Sequence, residues 1–283
     1  MSPSNVAPNA ANWPYPTLFA HRGGGIYAPE NTLAAMKVGH AHGFSAVEFD
    51  VKLSADGVAL LMHDSTLERT TNGTGNVVDK TIAELEELDA GSWHSAAFRG
   101  ERVARFTAVA HYLHGLGMMA NVEIKPCEGR DAETGRMVAE LCLDLWDDRL
   151  VKPLITSFSI DALRAARATA PDLPIGALTK IPDPQLLPLM AELKCLSIHC
   201  HHEHIDVDLV RLFHSNGYRV MTYTVNESER VNELLAMGVD GIFTDQLEVM
   251  AKRFPALLSD AGKPMREPFD DNMDWLAAVP PMP

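Results

Sequence analysis

The chain has 283 residues, of which 46% are hydrophobic, a length and composition that suit one large core such as that of an α/β barrel. Its formal net charge of −14 argues against nucleic acid or an anionic membrane as a partner, because both would be repelled. No run of about 18 consecutive apolar residues occurs, so no membrane span is expected.

The first residues and the cysteines bear on the cellular compartment. Residues 1–16 contain no Lys or Arg and no continuous apolar run, so we expect an N-terminal extension and not a secretory signal. The four cysteines are too few for a disulfide framework, and no pair has the C-x-x-C spacing. We therefore expect reduced thiols and a cytoplasmic location.

Short apolar runs alternate with helical patterns over residues 17–253, which is typical of repeated βα units that form a parallel sheet. Eight such units favour an α/β fold of the (β/α)8 TIM-barrel type, with residues 17–253 as one domain. The predicted strands are Leu18–Ala20, Ala46–Lys52, Met119–Lys125, Pro153–Ser157, Ile175–Leu178, Leu196–His199, Arg219–Thr224 and Gly241–Thr244.

Two helices between these strands have clear boundary signals. The first is predicted after Pro29, with Glu30 or Asn31 near its N-cap, and it ends at Gly43. A later helix is predicted over 226–238, where apolar residues recur on one face.

Residues 64–106 form a connection that is too long for a simple βα unit. They contain turn signals such as Asn72-Gly73 and a helical stretch from Thr81 to Leu88. An insertion of this size between the second strand unit and the following helix is usually a functional cap over the barrel, and a passive surface excursion is the alternative.

The tail over residues 254–283 carries six prolines and follows the last barrel helix. A short helix is predicted over Asp270–Ala278. Docking onto the barrel or disorder is favoured over a dedicated partner site.

Two carboxylates alternate with apolar residues in the second predicted strand. Because alternate side chains of a strand share a face, Glu48 and Asp50 point one way and Val47, Phe49 and Val51 point the other. The apolar face packs under the helices, so the carboxylates face the barrel interior. There they would repel each other unless a proton or a cation neutralises them, and a divalent metal is the economical solution.

The third predicted strand repeats this pattern, with Asn121, Glu123 and Lys125 on one face. Glu123 would complete a site of three carboxylates, and such an all-oxygen site suits one divalent cation, Mg²⁺ or Ca²⁺, far better than zinc. A single carboxylate near a strand end is more often part of an ordinary ion pair. Three in this arrangement favour a metal.

Two histidines end strands that open onto the same rim. His21 follows the first strand, and His63 ends the short run that begins at Leu60. In-line displacement at phosphorus needs a base for the attacking hydroxyl and an acid for the departing alkoxide, and a histidine pair supplies both near neutral pH. Asp64 is a candidate to orient a histidine or to cap a helix.

Arg22 and Lys125 are natural ligands for phosphate oxygens, and salt bridges to the nearby carboxylates are compatible with that role. Tyr223 is either an apolar wall of the pocket or part of the core. The histidine-rich run 199–204 has no zinc-finger spacing, so we interpret it as a polar loop between a strand and a helix.

The ordered motifs of this sequence resemble those of the glycerophosphodiester phosphodiesterase family, and most closely its bacterial cytoplasmic branch that works beside glycerol 3-phosphate uptake. The similarity spans about residues 13–250. The matching stretches are Asn12–Pro16, Ala20–Gly25, Ala28–Leu33, Glu48–Asp50, His63-Asp64, Leu67–Thr70, Asp89–Trp93, Met118–Asn121, Glu123–Pro126, Tyr223–Asn226 and Gly238–Asp240.

The resemblance implies a (β/α)8 barrel that hydrolyses glycerophosphodiesters, such as glycerophosphocholine or glycerophosphoethanolamine, to sn-glycerol 3-phosphate and an alcohol. It implies that a divalent metal binds at the positions of Glu48, Asp50 and Glu123. It further implies acid-base catalysis by His21 and His63, phosphate binding by Arg22 and Lys125, and a family insertion after His63. Many members have tryptophan at the position of Tyr223.

Two other activities are compatible with these residues. A phosphodiesterase of the lysophospholipase D type would need an apolar surface for an acyl chain. A non-catalytic phosphate-binding module would be expected to lack at least one of the key residues, and all are present. The expected partner is therefore a small-molecule glycerophosphodiester, bound by a monomer or a homodimer.

Overall fold

A computed structural model of the chain describes residues 13–146 and 150–262, together with Met265. In these residues eight parallel strands form a barrel, and one short antiparallel strand lies beside it. The strands are β1 (Leu18–Ala20), β2 (Ala46–Leu53), β3 (Ala59–Leu61), β4 (Met119–Ile124), β5 (Leu154–Ser157), β6 (Ile175–Leu178), β7 (Ser197–His201), β8 (Arg219–Tyr223) and β9 (Gly241–Thr244).

The sheet closes on itself, because β1 pairs in parallel with both β9 and β2. This closure confirms the predicted (β/α)8 barrel. β3 stands outside the barrel and pairs antiparallel with β2, with Val51 opposite Leu61. The Met62 N–H donates to the Asp50 carbonyl at 3.1 Å. The hairpin therefore returns the chain, and with it His63, to the level of Asp50.

The predicted strand positions are confirmed, but the strand predicted to end at His199 continues through Cys200 and His201, where a polar loop was predicted. His199 pairs with Met221 and His201 with Tyr223, so β7 extends to His201. Only the segment His202–His204 leaves the strand, as one turn of 3-10 helix. His199 and His201 face the polar interior of the barrel, whereas Cys200 between them faces the main core.

Nine helices of the described residues lie outside the barrel, most of them between successive strands. They are α1 (Leu33–Ala41), α2 (Ile82–Glu86), α3 (Phe106–Leu116), α4 (Asp131–Leu145), α5 (Ile160–Thr169), α6 (Leu187–Glu192), α7 (Val207–Ser215), α8 (Ser228–Ala236) and α9 (Leu247–Arg253). The N-cap of α1 is Thr32, whose hydroxyl accepts the Ala35 N–H at 3.1 Å, and not Glu30 or Asn31. Glu30 and Asn31 have other partners, described below.

The main core lies between the barrel and the helices. Val47, Phe49 and Val51 belong to it, as strand parity predicts, and the Phe49 ring lies 6.0 Å from that of Phe106 in α3. With the outer face of β2 occupied by these apolar side chains, its alternate residues are left to face the barrel interior.

The N-terminal end of the barrel is closed by a second, aromatic cluster. Trp13 and Tyr15 pack edge to face with ring centroids 4.9 Å apart, and Phe19 and Phe243 continue the cluster inward. Trp13 is 3% exposed. This end is therefore sealed, and access to the barrel interior is from the carboxyl ends of the strands.

The insertion at 64–106 packs on a small apolar core that is distinct from the main barrel core and also contains Leu60, Met62 and Cys127 from outside the insertion. Its helix α2 begins with a capping box formed by Thr81 and Glu84, which confirms the helical stretch predicted there. The core residues include Leu67, Val77, Ile82, Leu85 and Val103.

Within residues 13–146 and 150–262, no helix has both the length and the apolar character needed to cross a bilayer. The helix predicted over Asp270–Ala278 lies outside the described residues. The domain boundaries at residues 16 and 253 stay predictions.

The aromatic seal generates the first testable prediction. Trp13→Ala should lower the free energy of unfolding by about 3–5 kcal/mol, because it removes a large side chain from a packed cluster. Trp93→Ala is the matched control, since Trp93 is 41% exposed and should cost about 1 kcal/mol or less. Urea denaturation measures both losses, and equal losses would contradict the sealing role.

Candidate active site

A cavity of about 340 Å³ opens at the carboxyl ends of the barrel strands. This is the end at which barrel enzymes place their catalytic groups. All eight side chains that sequence analysis selected line this one cavity, namely His21, Arg22, Glu48, Asp50, His63, Glu123, Lys125 and Tyr223.

Three carboxylates form the centre of the cavity. Where β2 pairs with β4, Asp50 lies opposite Glu123. Glu48 lies two residues before Asp50, on the same face of β2. One oxygen from each carboxylate lies within 4.8 Å of the others, and all three residues are buried. This compact, all-oxygen donor set fits a divalent cation of the Mg²⁺ or Ca²⁺ class.

The electrostatics of the three carboxylates support the same conclusion. Burial, together with the negative charge of Asp50, raises the pKa of Glu48 to about 7 and that of Glu123 to about 8. Burial opposes ionisation of Asp50 too, but the charges of Lys125 and Arg22 hold its pKa below the ordinary value. Ionisation of all three carboxylates together would thus exceed the positive charge that Arg22 and Lys125 supply, and a metal ion would balance this excess.

Asn31 holds Asp50 in place. Its Nδ2 donates to Asp50 Oδ2 at 2.9 Å, and its Oδ1 accepts the Asp50 N–H at 3.0 Å. Asn31 has a φ of 60°, a left-handed conformation that asparagine tolerates better than most residues. From the sequence, Asn31 was predicted only as a helix cap. The actual cap is the next residue, Thr32, which leaves the Asn31 side chain free to bind Asp50.

His21 is oriented by Asp245, which sequence analysis did not select. His21 Nδ1 lies 2.7 Å from Asp245 Oδ1, while Nε2 points to the carboxylates, 3.8 Å from Glu48 Oε2. Asn226 positions Asp245 by accepting its backbone N–H at 2.9 Å. Burial disfavours the charged imidazolium, but Asp245 and Glu48 outweigh this effect and raise the pKa of His21.

His63 is oriented by its sequence neighbour Asp64, as sequence analysis suggested. Its Nδ1 lies 2.6 Å from Asp64 Oδ1, and the guanidinium of Arg69 binds the same carboxylate. Burial lowers the pKa of His63. Both histidines therefore engage a carboxylate through Nδ1, which leaves Nε2 as the nitrogen available to a substrate.

Arg22 and Lys125 provide positive charge beside the carboxylates. Arg22 Nη1 donates to Glu30 Oε1 at 2.7 Å, whereas its buried Nε donates to no described residue and lies 3.8 Å from Asp50 Oδ2. Lys125 Nζ lies 2.6 Å from Glu123 and 3.4 Å from Asp50. The predicted salt bridges are present, and they hold both cations beside the carboxylates at the wall of the cavity.

Two aromatic side chains also line the cavity. Tyr223 lines the cavity and its hydroxyl donates to the Thr179 carbonyl at 2.8 Å, which fixes the ring. Phe158 meets Tyr223 edge to face at 6.1 Å and is 48% exposed. Lys125 Nζ lies 5.5 Å from the centre of the Phe158 ring. The cavity thus combines ionic groups with aromatic surface, and the two meet at Lys125 and Phe158.

Histidines of β7 contribute to the floor and the rim. His199 is buried at the floor, its Nε2 lies 2.9 Å from Ser197 Oγ, and burial lowers its pKa to about 3. His201 lies at the rim, with the ring of His202 4.9 Å away. In the part of the chain that the structure describes, the carboxylate triad is the one group of three close metal-ligating side chains, and these histidines form none.

Comparisons with known proteins agree with this geometry. The sequence profile of the Glycerophosphoryl diester phosphodiesterase family matches residues 21–249. A glycerophosphodiester phosphodiesterase from Caldanaerobacter subterraneus is 32% identical over 237 residues, which cover 82% of this chain and 95% of that protein. Another from Bacillus subtilis is 28% identical over 247 residues, which cover 82% and 84%.

Solved structures give the same result. A phosphodiesterase from Oleispira antarctica, in complex with the product sn-glycerol 3-phosphate, aligns with a TM-score of 0.81 and 33% identity and covers 84% of this chain and 96% of that one. A glycerophosphodiester phosphodiesterase from Agrobacterium tumefaciens aligns with a TM-score of 0.71 and 29% identity, covering 84% and 99%. The chain therefore belongs to the glycerophosphoryl diester phosphodiesterase family.

Proposed function

We propose that this protein hydrolyses glycerophosphodiesters, such as glycerophosphocholine or glycerophosphoethanolamine, to sn-glycerol 3-phosphate and an alcohol. The observation that carries the proposal is the meeting, in one cavity, of a carboxylate triad, two basic side chains and two histidines that each engage a carboxylate. Family membership and the glycerol 3-phosphate complex of the Oleispira antarctica relative support it.

Glu48, Asp50 and Glu123 would hold one divalent cation, Mg²⁺ or Ca²⁺. Such a cation, when bound, supplies positive charge that stabilises the phosphate oxygens and lowers the pKa of a nearby hydroxyl. The chain prepares this site through Asn31, which fixes Asp50, and through the Arg22 N–H, which donates to Glu48 Oε2 at 2.9 Å. Supporting contacts of this kind restrict ligands to one orientation.

The phosphate would lie between Arg22 and Lys125, whose side chains both line the cavity and carry the positive charge that binds phosphate oxygens. His21 and His63 then transfer the two protons of the reaction through their Nε2 atoms. One removes the proton of the attacking oxygen, and the other protonates the departing alkoxide. Asp245 and Asp64 keep both rings oriented during the transfer.

The attacking oxygen is either the 2-hydroxyl of the substrate glycerol or a water molecule. The first route passes through a cyclic glycerol phosphate that water later opens, whereas the second releases glycerol 3-phosphate directly. Phosphorus NMR of the reaction distinguishes them, because only the first route shows the cyclic phosphate.

A lysophospholipase D activity is the second candidate. The observation in its favour is the aromatic surface of the cavity, where Phe158 is 48% exposed. An acyl chain could rest on such a surface.

A cytoplasmic location, a place beside glycerol 3-phosphate uptake, and a monomeric or homodimeric state are further parts of the proposal.

A coupled assay for glycerol 3-phosphate tests the function directly. Glycerophosphocholine and glycerophosphoethanolamine should release glycerol 3-phosphate, EDTA should abolish the release, and Mg²⁺ or Ca²⁺ should restore it, because the triad requires a cation to balance its charge. Lysophosphatidylcholine, followed by choline release, tests the second candidate. Full activity in EDTA would contradict the metal proposal.

The histidine and carboxylate pairs generate a mutational prediction. His63→Ala and Asp245→Asn should each lower kcat by roughly 10²- to 10⁴-fold, the range that general acid-base catalysis supplies. Asp161→Asn, which removes a carboxylate that is 76% exposed on α5, is the control and should retain wild-type turnover. Wild-type kcat in Asp245→Asn would show that His21 works without this partner.

Cation affinity should depend on pH in a defined direction. With pKa values of about 7 and about 8, Glu48 and Glu123 hold protons near neutral pH when no metal is bound. A cation must displace these protons, so its affinity should rise as pH increases from about 6 to about 9, with proton release. Calorimetric titration in buffers of different ionisation enthalpy measures both effects. A pH-independent affinity without proton release would refute the shifted pKa values.

A further inference from the structure

Arg69, in the insertion, connects two carboxylates at the edge of the cavity. Its Nε and Nη2 donate to Asp64 at 2.6 and 3.0 Å. Its Nη1 and Nη2 donate to Glu30 at 2.7 and 2.8 Å. One guanidinium thus makes two forked contacts, an arrangement that lysine cannot reproduce because it lacks the planar fork.

Each of these carboxylates holds a residue of the proposed machinery. Asp64 Oδ1 lies 2.6 Å from His63 Nδ1, and Glu30 Oε1 accepts from Arg22 Nη1 at 2.7 Å. The five side chains form a continuous series in the order Arg22, Glu30, Arg69, Asp64 and His63. The guanidinium groups of Arg22 and Arg69 alternate with the carboxylates of Glu30 and Asp64, and the series ends at the His63 imidazole.

The insertion that carries Arg69 is fastened to the barrel on the same side. Glu101 accepts the Ala34 N–H at the start of α1 at 3.0 Å, and His94 Nε2 lies 3.0 Å from the Ile26 carbonyl. Its separate apolar core gives the segment rigidity. Arg69 therefore projects from a fixed support.

We propose that Arg69 is a positioning residue, which holds the phosphate-binding Arg22 and the proton-transferring His63 in register with each other through Glu30 and Asp64. The assignment rests on the proposed function for the roles of Arg22 and His63. It gives the insertion a part in catalysis, because Arg69 is the one residue of the series that bridges two carboxylates from outside the barrel.

The physical effect of Arg69 is twofold. It restricts Glu30, so that Arg22 keeps one orientation toward the phosphate, and it offsets the charge of Asp64 beside His63. Without Arg69, Asp64 would face His63 with no other partner among the described contacts, and the imidazolium form of His63 would be stabilised.

The test compares Arg69→Met, Arg69→Lys and Arg105→Met with the wild type on glycerophosphocholine. Arg105 is the matched control, because it lies in the same insertion, is 41% exposed against 44% for Arg69, and makes a forked pair with Glu86 away from the cavity. We expect kcat/KM to fall by about 10- to 100-fold in Arg69→Met, less in Arg69→Lys, and within about twofold of wild type in Arg105→Met.

A second readout separates positioning from simple stability and does not require turnover. The charges that face His63 come from Asp50, Arg22, Asp64 and Lys125, and only Asp64 loses a partner in Arg69→Met. NMR titration should therefore show a higher pKa for His63 in Arg69→Met and no change in Arg105→Met. The limb of the pH-rate profile that His63 governs, acidic if it is the base and basic if it is the acid, should shift to higher pH in the same variant.

Two outcomes would overturn the inference. One is an Arg69→Met enzyme with the turnover and the pH profile of Arg105→Met. The other is an unchanged His63 titration. If the wild type released no glycerol 3-phosphate, the proposed function would fail, yet the His63 titration would still decide whether Arg69 governs this histidine.

Discussion

Mutual repulsion among three buried carboxylates is the constraint around which the site is organised. Glu48, Asp50 and Glu123 lie within 4.8 Å of one another, so each nearby donor serves to hold negative charge in place. Asn31 fixes Asp50, the backbone of Arg22 binds Glu48, and Lys125 contacts Glu123. The apolar outer face of β2 makes this burial unavoidable, since its alternate residues have no other direction to face.

Strand parity was sufficient to predict the centre of the site. The alternation in β2 and β4 placed Glu48, Asp50 and Glu123 on inward faces, and the order of βα units predicted a closed barrel. These features depend on residues that are close in sequence, and local periodicity reports such features directly. The motif resemblance added the substrate class, which periodicity does not contain.

The residues that sequence analysis missed are those whose roles depend on long-range contacts. Asp245 meets His21 across 224 positions of sequence, and Arg69 meets Glu30 across 39. Asn31 and Glu30 were interpreted as helix caps because they are polar residues directly before a helix. In the structure they instead bind Asp50 and Arg22. In the same way, the location of His199 inside the barrel depends on the pairing of β7 with β8, which its polar sequence neighbours do not indicate.

The contact between His21 and Asp245 links the first strand of the barrel to the last. Because β9 is synthesised near the end of the described chain, this histidine lacks its carboxylate until the final strand inserts beside β1. Such a contact of large sequence separation forms late and at a high cost in chain entropy. A chain that ended before β9 would therefore lack both the strand that pairs with β1 and the carboxylate that orients His21, so hydrolytic activity reports that the barrel has closed.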